Sequence, residues 1–161
     1  MRFLILFLVI GGALLNSCCN CENKNQSKYL ENITQPEEQA LRLKPFVKKR
    51  DSVTVFGLIA ERKRDVEDEY LPTSENFRVE IMTPNGKTFW NSSHDKAFLQ
   101  VIGEVEPVQK GDTEEYTMPW NGQTNAGKTL PEGEYNLRMT IPAKPNPYFV
   151  ESKFQWKKQH D

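Results

Sequence analysis

The chain has 161 residues and a formal net charge of −1. That length suits one domain plus an extension, and that charge gives no long-range field that would favour nucleic acid as a partner. Ten prolines, nine glycines, nine phenylalanines, five tyrosines and three tryptophans favour strands and turns over a helical bundle, while three cysteines confined to positions 18–21 exclude a disulfide framework for the body of the chain.

The first residues read MRFLILFLVIGGALLNSC. Arg2 precedes an apolar run from Phe3 to Leu15 that is shorter than the roughly 20 residues needed to span a bilayer, and the pattern is that of a secretory leader. Leu15-Asn16-Ser17-Cys18 resembles the bacterial lipobox: a branched apolar residue three before the cysteine, a small residue just before it, then Cys. The resemblance implies cleavage after Ser17 and a lipid on Cys18. Embedded acyl chains anchor stably because each buried methylene contributes about 0.8 kcal/mol. The expected location is the bacterial cell envelope, with the domain tethered to a membrane and held outside the cytoplasm. Cys19 and Cys21 are compatible with a pair, further acylation or free thiols; no His or fourth Cys lies near enough to complete a metal site.

Residues 1–17 are therefore expected to be a signal peptide and 18–51 a lipidated terminus followed by a flexible tether. The stretch from Glu22 to Arg50 is polar with scattered apolar residues. A short helix beginning at Pro36-Glu37-Glu38 is the competing reading, since Pro and acidic residues suit a first helical turn. Lys48-Lys49-Arg50 reads as a solvated charge run at the domain edge.

Residues 52–161 carry the β pattern. Ser52–Ala60 is an apolar, β-rich run. Phe77–Met82 alternates, Pro84-Asn85-Gly86 is a hairpin turn, and Lys87–Trp90 returns. Further strands are expected at Ala97–Ile102, Val105–Gln109, Thr113–Trp120, Glu134–Ile141 and Tyr148–Trp156. Seven or eight short strands predict an all-β, Ig-like antiparallel sandwich. Between two of them lies the densest signal, WNGQTNAGKTLPEGEY from Trp120 to Tyr135. Asn121-Gly122 and Asn125-Ala126-Gly127 supply positions tolerant of positive φ, and Pro131-Glu132-Gly133 fixes the entry to the next strand. Trp120 and Tyr135 are expected to pack at the two ends of this loop, with the Tyr135 hydroxyl bonded to nearby backbone.

The segment resembles the W-x-G-x-x-x-x-G-x-x-L-P-x-G-x-Y hallmark of the BsuPI proteinase-inhibitor-like domains and of the related Ig-like domain in flagellar hook-capping proteins. The residues that carry it are Trp120, Asn121, Gly122, Gly127, Pro131, Gly133 and Tyr135. The charged insert Glu61–Glu69 departs from the family's pattern. The resemblance implies an Ig-like sandwich in a family that includes an inhibitor of an intracellular serine protease. Two functions follow as expectations: non-catalytic binding of an envelope protein, or inhibition of an envelope or extracellular serine protease. For inhibition, an exposed loop would enter the protease cleft in extended form, and the loop Glu61–Ser74, with Arg62, Lys63 and Arg64, is one candidate; the favoured reading of it is a solvated loop between strands.

The residues do not support catalysis. Ser93-His94-Asp95 holds three triad residue types, but triads are assembled from separated elements, and consecutive side chains project in different directions. His94 and His160 are the only histidines. No catalytic set, metal site or cofactor is expected.

Overall fold

The computed structural model describes residues 28–50 and 52–158; Cys18, Cys19 and Cys21 lie outside them. Eight strands run in the order β1 (Leu30–Thr34), β2 (Leu41–Arg50), β3 (Val53–Arg62), β4 (Arg78–Met82), β5 (Thr88–Asn91), β6 (Thr113–Trp120), β7 (Gly133–Ile141) and β8 (Tyr148–Trp156). They form two antiparallel sheets, a five-stranded one ordered β1-β8-β7-β4-β5 and a three-stranded one ordered β2-β3-β6. This is the Ig-like sandwich expected from the sequence.

The alternation that identified the strands is what builds the core. Tyr135, Leu137, Met139 and Ile141 of β7 are buried, as are Tyr148, Val150, Phe154 and Trp156 of β8. They face Phe56, Leu58 and Ala60 of β3. Phe56 joins the sheets directly, with its ring centroid 6.0 Å from Trp90, 5.6 Å from Trp120 and 5.3 Å from Phe154. Burying such side chains stabilises by about 1.5–3 kcal/mol each, so a domain of this size needs no disulfide. The Pro84-Asn85-Gly86 turn joins β4 to β5, with Gly86 at φ 82° and its amide on the Thr83 carbonyl at 2.9 Å.

Three readings of the sequence are corrected. The segment 18–51, read as a flexible tether, contributes β1 and β2 to the sandwich, so the folded domain begins well before residue 52. The stretch around Pro36 is a turn rather than a helix, held by the Gln39 side chain on both the amide (2.8 Å) and carbonyl (2.9 Å) of Phe149. Conversely, Ala97–Ile102 and Val105–Gln109 are not strands. They belong to the crossover from β5 in one sheet to β6 in the other, whose ladder pairing is limited to the single bridge of Gly103 with Leu71. The count of eight is therefore reached with two different members.

Candidate functional site

The hallmark loop joins β6 to β7 and is engaged almost entirely in holding the sandwich closed. Trp120 lies T-shaped on Trp156, centroids 4.6 Å apart, and donates its indole N–H to the Gln123 carbonyl at 2.7 Å. Asn121 Oδ1 accepts from the Gln123 amide at 3.1 Å. Gly122 has φ 81° and sits against Trp156, which a Cβ would approach to 3.2 Å; its carbonyl accepts from the Leu130 amide at 2.8 Å. Gly127 closes the tight turn by donating to the Thr124 carbonyl at 2.9 Å. The Tyr135 hydroxyl donates to the Pro131 carbonyl at 2.7 Å, just before Gly133 opens β7, a tyrosine-corner contact. Burial pushes the Tyr135 phenol above its ordinary pKa, which keeps it a donor.

Asn125 has a role the sequence did not reveal. Its amide donates to the Phe89 carbonyl at 3.0 Å, its Oδ1 accepts from the Asn91 amide at 2.7 Å, and its Nδ2 donates to the Asn91 carbonyl at 3.1 Å. The loop thereby covers the outer edge of β5, which would otherwise offer bare backbone groups to another chain. A groove of about 780 Å³ beside it is lined by Lys87, Phe89, His94, Asn125 and Lys128. Its Asn125 wall is already committed to β5.

The candidate contact loop is corrected at Arg62. Arg62 is 1% exposed. Its Nε donates to the Pro107 carbonyl at 2.7 Å, and its Nη2 reaches the Val105 carbonyl at 2.9 Å and Glu69 Oε1 at 2.5 Å. Its Nη1 meets no protein acceptor. Tyr148 donates to the second Glu69 oxygen at 2.5 Å; burial, then the bond to Glu69, pushes the Tyr148 phenol up to about 12. Arg62 is thus an internal strut. Lys63 Nζ lies 3.2 Å from Glu61, and exposed Arg64 donates to the Glu38 carbonyl at 2.9 Å.

Ser93-His94-Asp95 forms the turn after β5. The Ser93 hydroxyl donates to Glu75, which also holds Arg78, while His94 Nε2 lies 3.1 Å from Asp95. Burial raises the pKa of the Glu75 carboxyl, but the bonds from Arg78 and Ser93 outweigh it and hold the group below its ordinary range.

The surface feature that remains is apolar. Among the described residues, Leu99 (70% exposed), Val101, Ile102 (81% exposed) and Val108 lie exposed on the β5–β6 crossover, and Tyr70 on the neighbouring β3–β4 crossover; Ile33 is the one other exposed large hydrophobic residue. Such clustering marks interaction surfaces more than scattered exposure does. The strip is also fixed in place. The Ser74 amide donates to the Leu99 carbonyl and the Leu99 amide to Ser74 Oγ, both at 3.0 Å. Leu71 and Gly103 exchange two backbone bonds, at 2.8 and 3.0 Å. The run 97–102 is legible in the sequence as apolar; only the sandwich shows that it faces outward.

Residues 43–146 match the family described as BsuPI, intracellular proteinase inhibitor, a span from β2 to the connection between β7 and β8 that includes both the hallmark loop and the apolar strip. Among solved structures the chain is similar to the crystal structure of FLGD from P. aeruginosa, with 16% identity and a TM-score of 0.31, over 57% of this chain and 65% of that one. The chain thus spans a little under two thirds of that protein's length. No curated protein matches.

Proposed function

The chain belongs to the BsuPI family of intracellular proteinase inhibitor domains, and from that membership we propose that it is a non-catalytic binding domain whose target is a proteinase, tethered outside the cytoplasm by a lipid on Cys18. The observation that carries the binding role is the fixed apolar strip at Leu99, Val101 and Ile102. A water-exposed patch of this kind is unfavourable unless a partner covers it. The family supplies the class of partner. The leader and the Leu15–Cys18 motif support the location, and the location sets which proteinase the domain meets: one of the envelope or the medium, not of the cytoplasm.

Two measurements test the two halves. Titrating the detergent-solubilised full-length protein into serine proteinases is expected to give saturable inhibition; no inhibition at micromolar protein removes the proteinase as target. For the anchor, Cys18→Ala is expected to abolish lipid labelling and release the protein from the membrane fraction. Labelling that persists in this variant removes Cys18 as the attachment site.

A further inference from the structure

We propose that Val101–Glu104 is the segment that enters the proteinase, pairing as an added strand with the enzyme's substrate-binding edge while Ile102 fills an apolar primary specificity pocket. This rests on the proteinase reading above and deepens it by naming the contact and the class of enzyme.

The geometry begins with a small ladder on the flank of the sandwich. Tyr70 exchanges backbone bonds with Lys144, at 3.1 and 2.8 Å, and the next residue, Leu71, exchanges bonds with Gly103. Three chain segments therefore lie side by side in antiparallel fashion, with the one through Gly103 outermost. Gly103 uses both its amide and its carbonyl on Leu71. In extended chain the backbone groups of successive residues point to opposite sides, so those of Ile102 and Glu104 face away from the ladder. The arrangement is a short open edge, which is the template that added strands recognise.

Ile102 adds the side chain. Among the described residues it is the most exposed large hydrophobic one, at 81%. Its β-branch restricts χ1, so little rotamer freedom is lost on insertion. The flanks are held before any partner arrives, by Ser74 on Leu99 and by Leu71 on Gly103. The chain bends at Leu99–Val101, where the Val101 amide donates to the Leu99 carbonyl at 3.0 Å, then pairs through Gly103, and this held segment with its protruding anchor fits a cleft that reads extended chain.

The basic run at 62–64 does not supply the presented Arg or Lys that the pocket of a trypsin-like enzyme requires. Arg62 is buried, Lys63 pairs with Glu61, and Arg64 is bonded to Glu38. None stands on a free, extended edge as Ile102 does.

The test uses the full-length, detergent-solubilised protein against three serine proteinases: a subtilisin, an elastase and trypsin. Wild type is expected to inhibit the first or second and not trypsin. Ile102→Arg is expected to weaken that inhibition by at least about tenfold, because a charge cannot enter an apolar pocket, and to gain inhibition of trypsin; Ile102→Val is expected to stay close to wild type. An unchanged thermal midpoint verifies that the Ile102→Arg variant is folded. If Ile102→Arg inhibits as wild type does, the contact lies elsewhere and only the assignment of this segment falls. If wild type inhibits none of the three, the proteinase reading falls with it. The competing occupant of the edge is a second copy of the chain: dimers in sedimentation that Ile102→Arg dissolves, without proteinase inhibition, overturn the proposal.

Discussion

Replacing Arg62 with alanine is expected to destabilise the domain by about 3–5 kcal/mol, the usual cost of leaving one member of a buried ion pair alone. The guanidinium is 1% exposed and joins three pieces of chain: the end of β3, the 105–107 segment and Glu69. Its removal leaves a Glu69 carboxylate, 11% exposed, with Tyr148 as its remaining donor, and deprives the Val105 and Pro107 carbonyls of theirs. Each unsatisfied buried acceptor costs about 1–3 kcal/mol. Urea denaturation of Arg62→Ala reads the loss directly. The double variant Arg62→Met, Glu69→Gln is expected to recover part of it, since both charges are then gone. A loss under about 1 kcal/mol in Arg62→Ala contradicts the buried pair and returns Arg62 to the surface.

That result also separates two meanings of the charged loop. The run ERKR at 61–64 reads as a uniformly solvated, basic tip. The alternation of β3 says otherwise: Thr54, Phe56, Leu58 and Ala60 are buried on one face, with Gly57 covered by Phe46 on the other, and Arg62 is the next in the parity of the first set. The signal was present, but it required extending an apolar period into a charged residue, which is justified only when an acid waits inside. Glu69, seven residues on and folded back against β3, is that acid.

The other differences have equally local causes. Strands β7 and β8 and the β4–β5 hairpin were legible because each has one wet and one dry face and a turn whose residues fit its φ angles. Strand β1 was not, because it is an edge strand with Leu30 its one buried residue, and a bulge at Asn32 (φ 51°) interrupts its register with β8. Strand β2 has a clear alternation in Leu41, Leu43 and Val47, yet Pro45 sits in the middle. Proline is tolerated there because β2 is an edge and pairs with β3 on one side only. The run 97–102 shows the reverse error. Its β propensity is high, but propensity reports a fit to a half-buried surface, and a crossover on the flank offers none. The hallmark loop was legible as a turn, while its grip on β5 through Asn125 depends on a tertiary neighbour that no local pattern encodes.

The second large effect is expected at Gly57, on the outer face of the three-stranded sheet. Register places it opposite Phe46 of β2, and the ring lies across it: a Cβ on Gly57 would stand 2.0 Å from Phe46 Cζ and 2.3–2.5 Å from the adjacent ring carbons. Phe46 is 1% exposed, with Lys48 Nζ 4.2 Å from its ring centroid. Gly57→Ala forces a choice between two losses. Either the ring swings out, returning an aromatic side chain to water at about 1.5–3 kcal/mol, or the strands part to keep it, with an overpacking cost of about 1–3 kcal/mol. Alanine recovers about 0.5–1 kcal/mol over glycine within a strand, so the net destabilisation is expected near 1–2 kcal/mol. Phe46→Ala removes the obstacle. In that background Gly57→Ala is expected to change sign and stabilise by about 0.5–1 kcal/mol, a coupling that a denaturant double-mutant cycle resolves. If the penalty persists without the ring, the glycine is required by the backbone itself and not by the aromatic lid, and Phe46 then covers the sheet without dictating what lies beneath it.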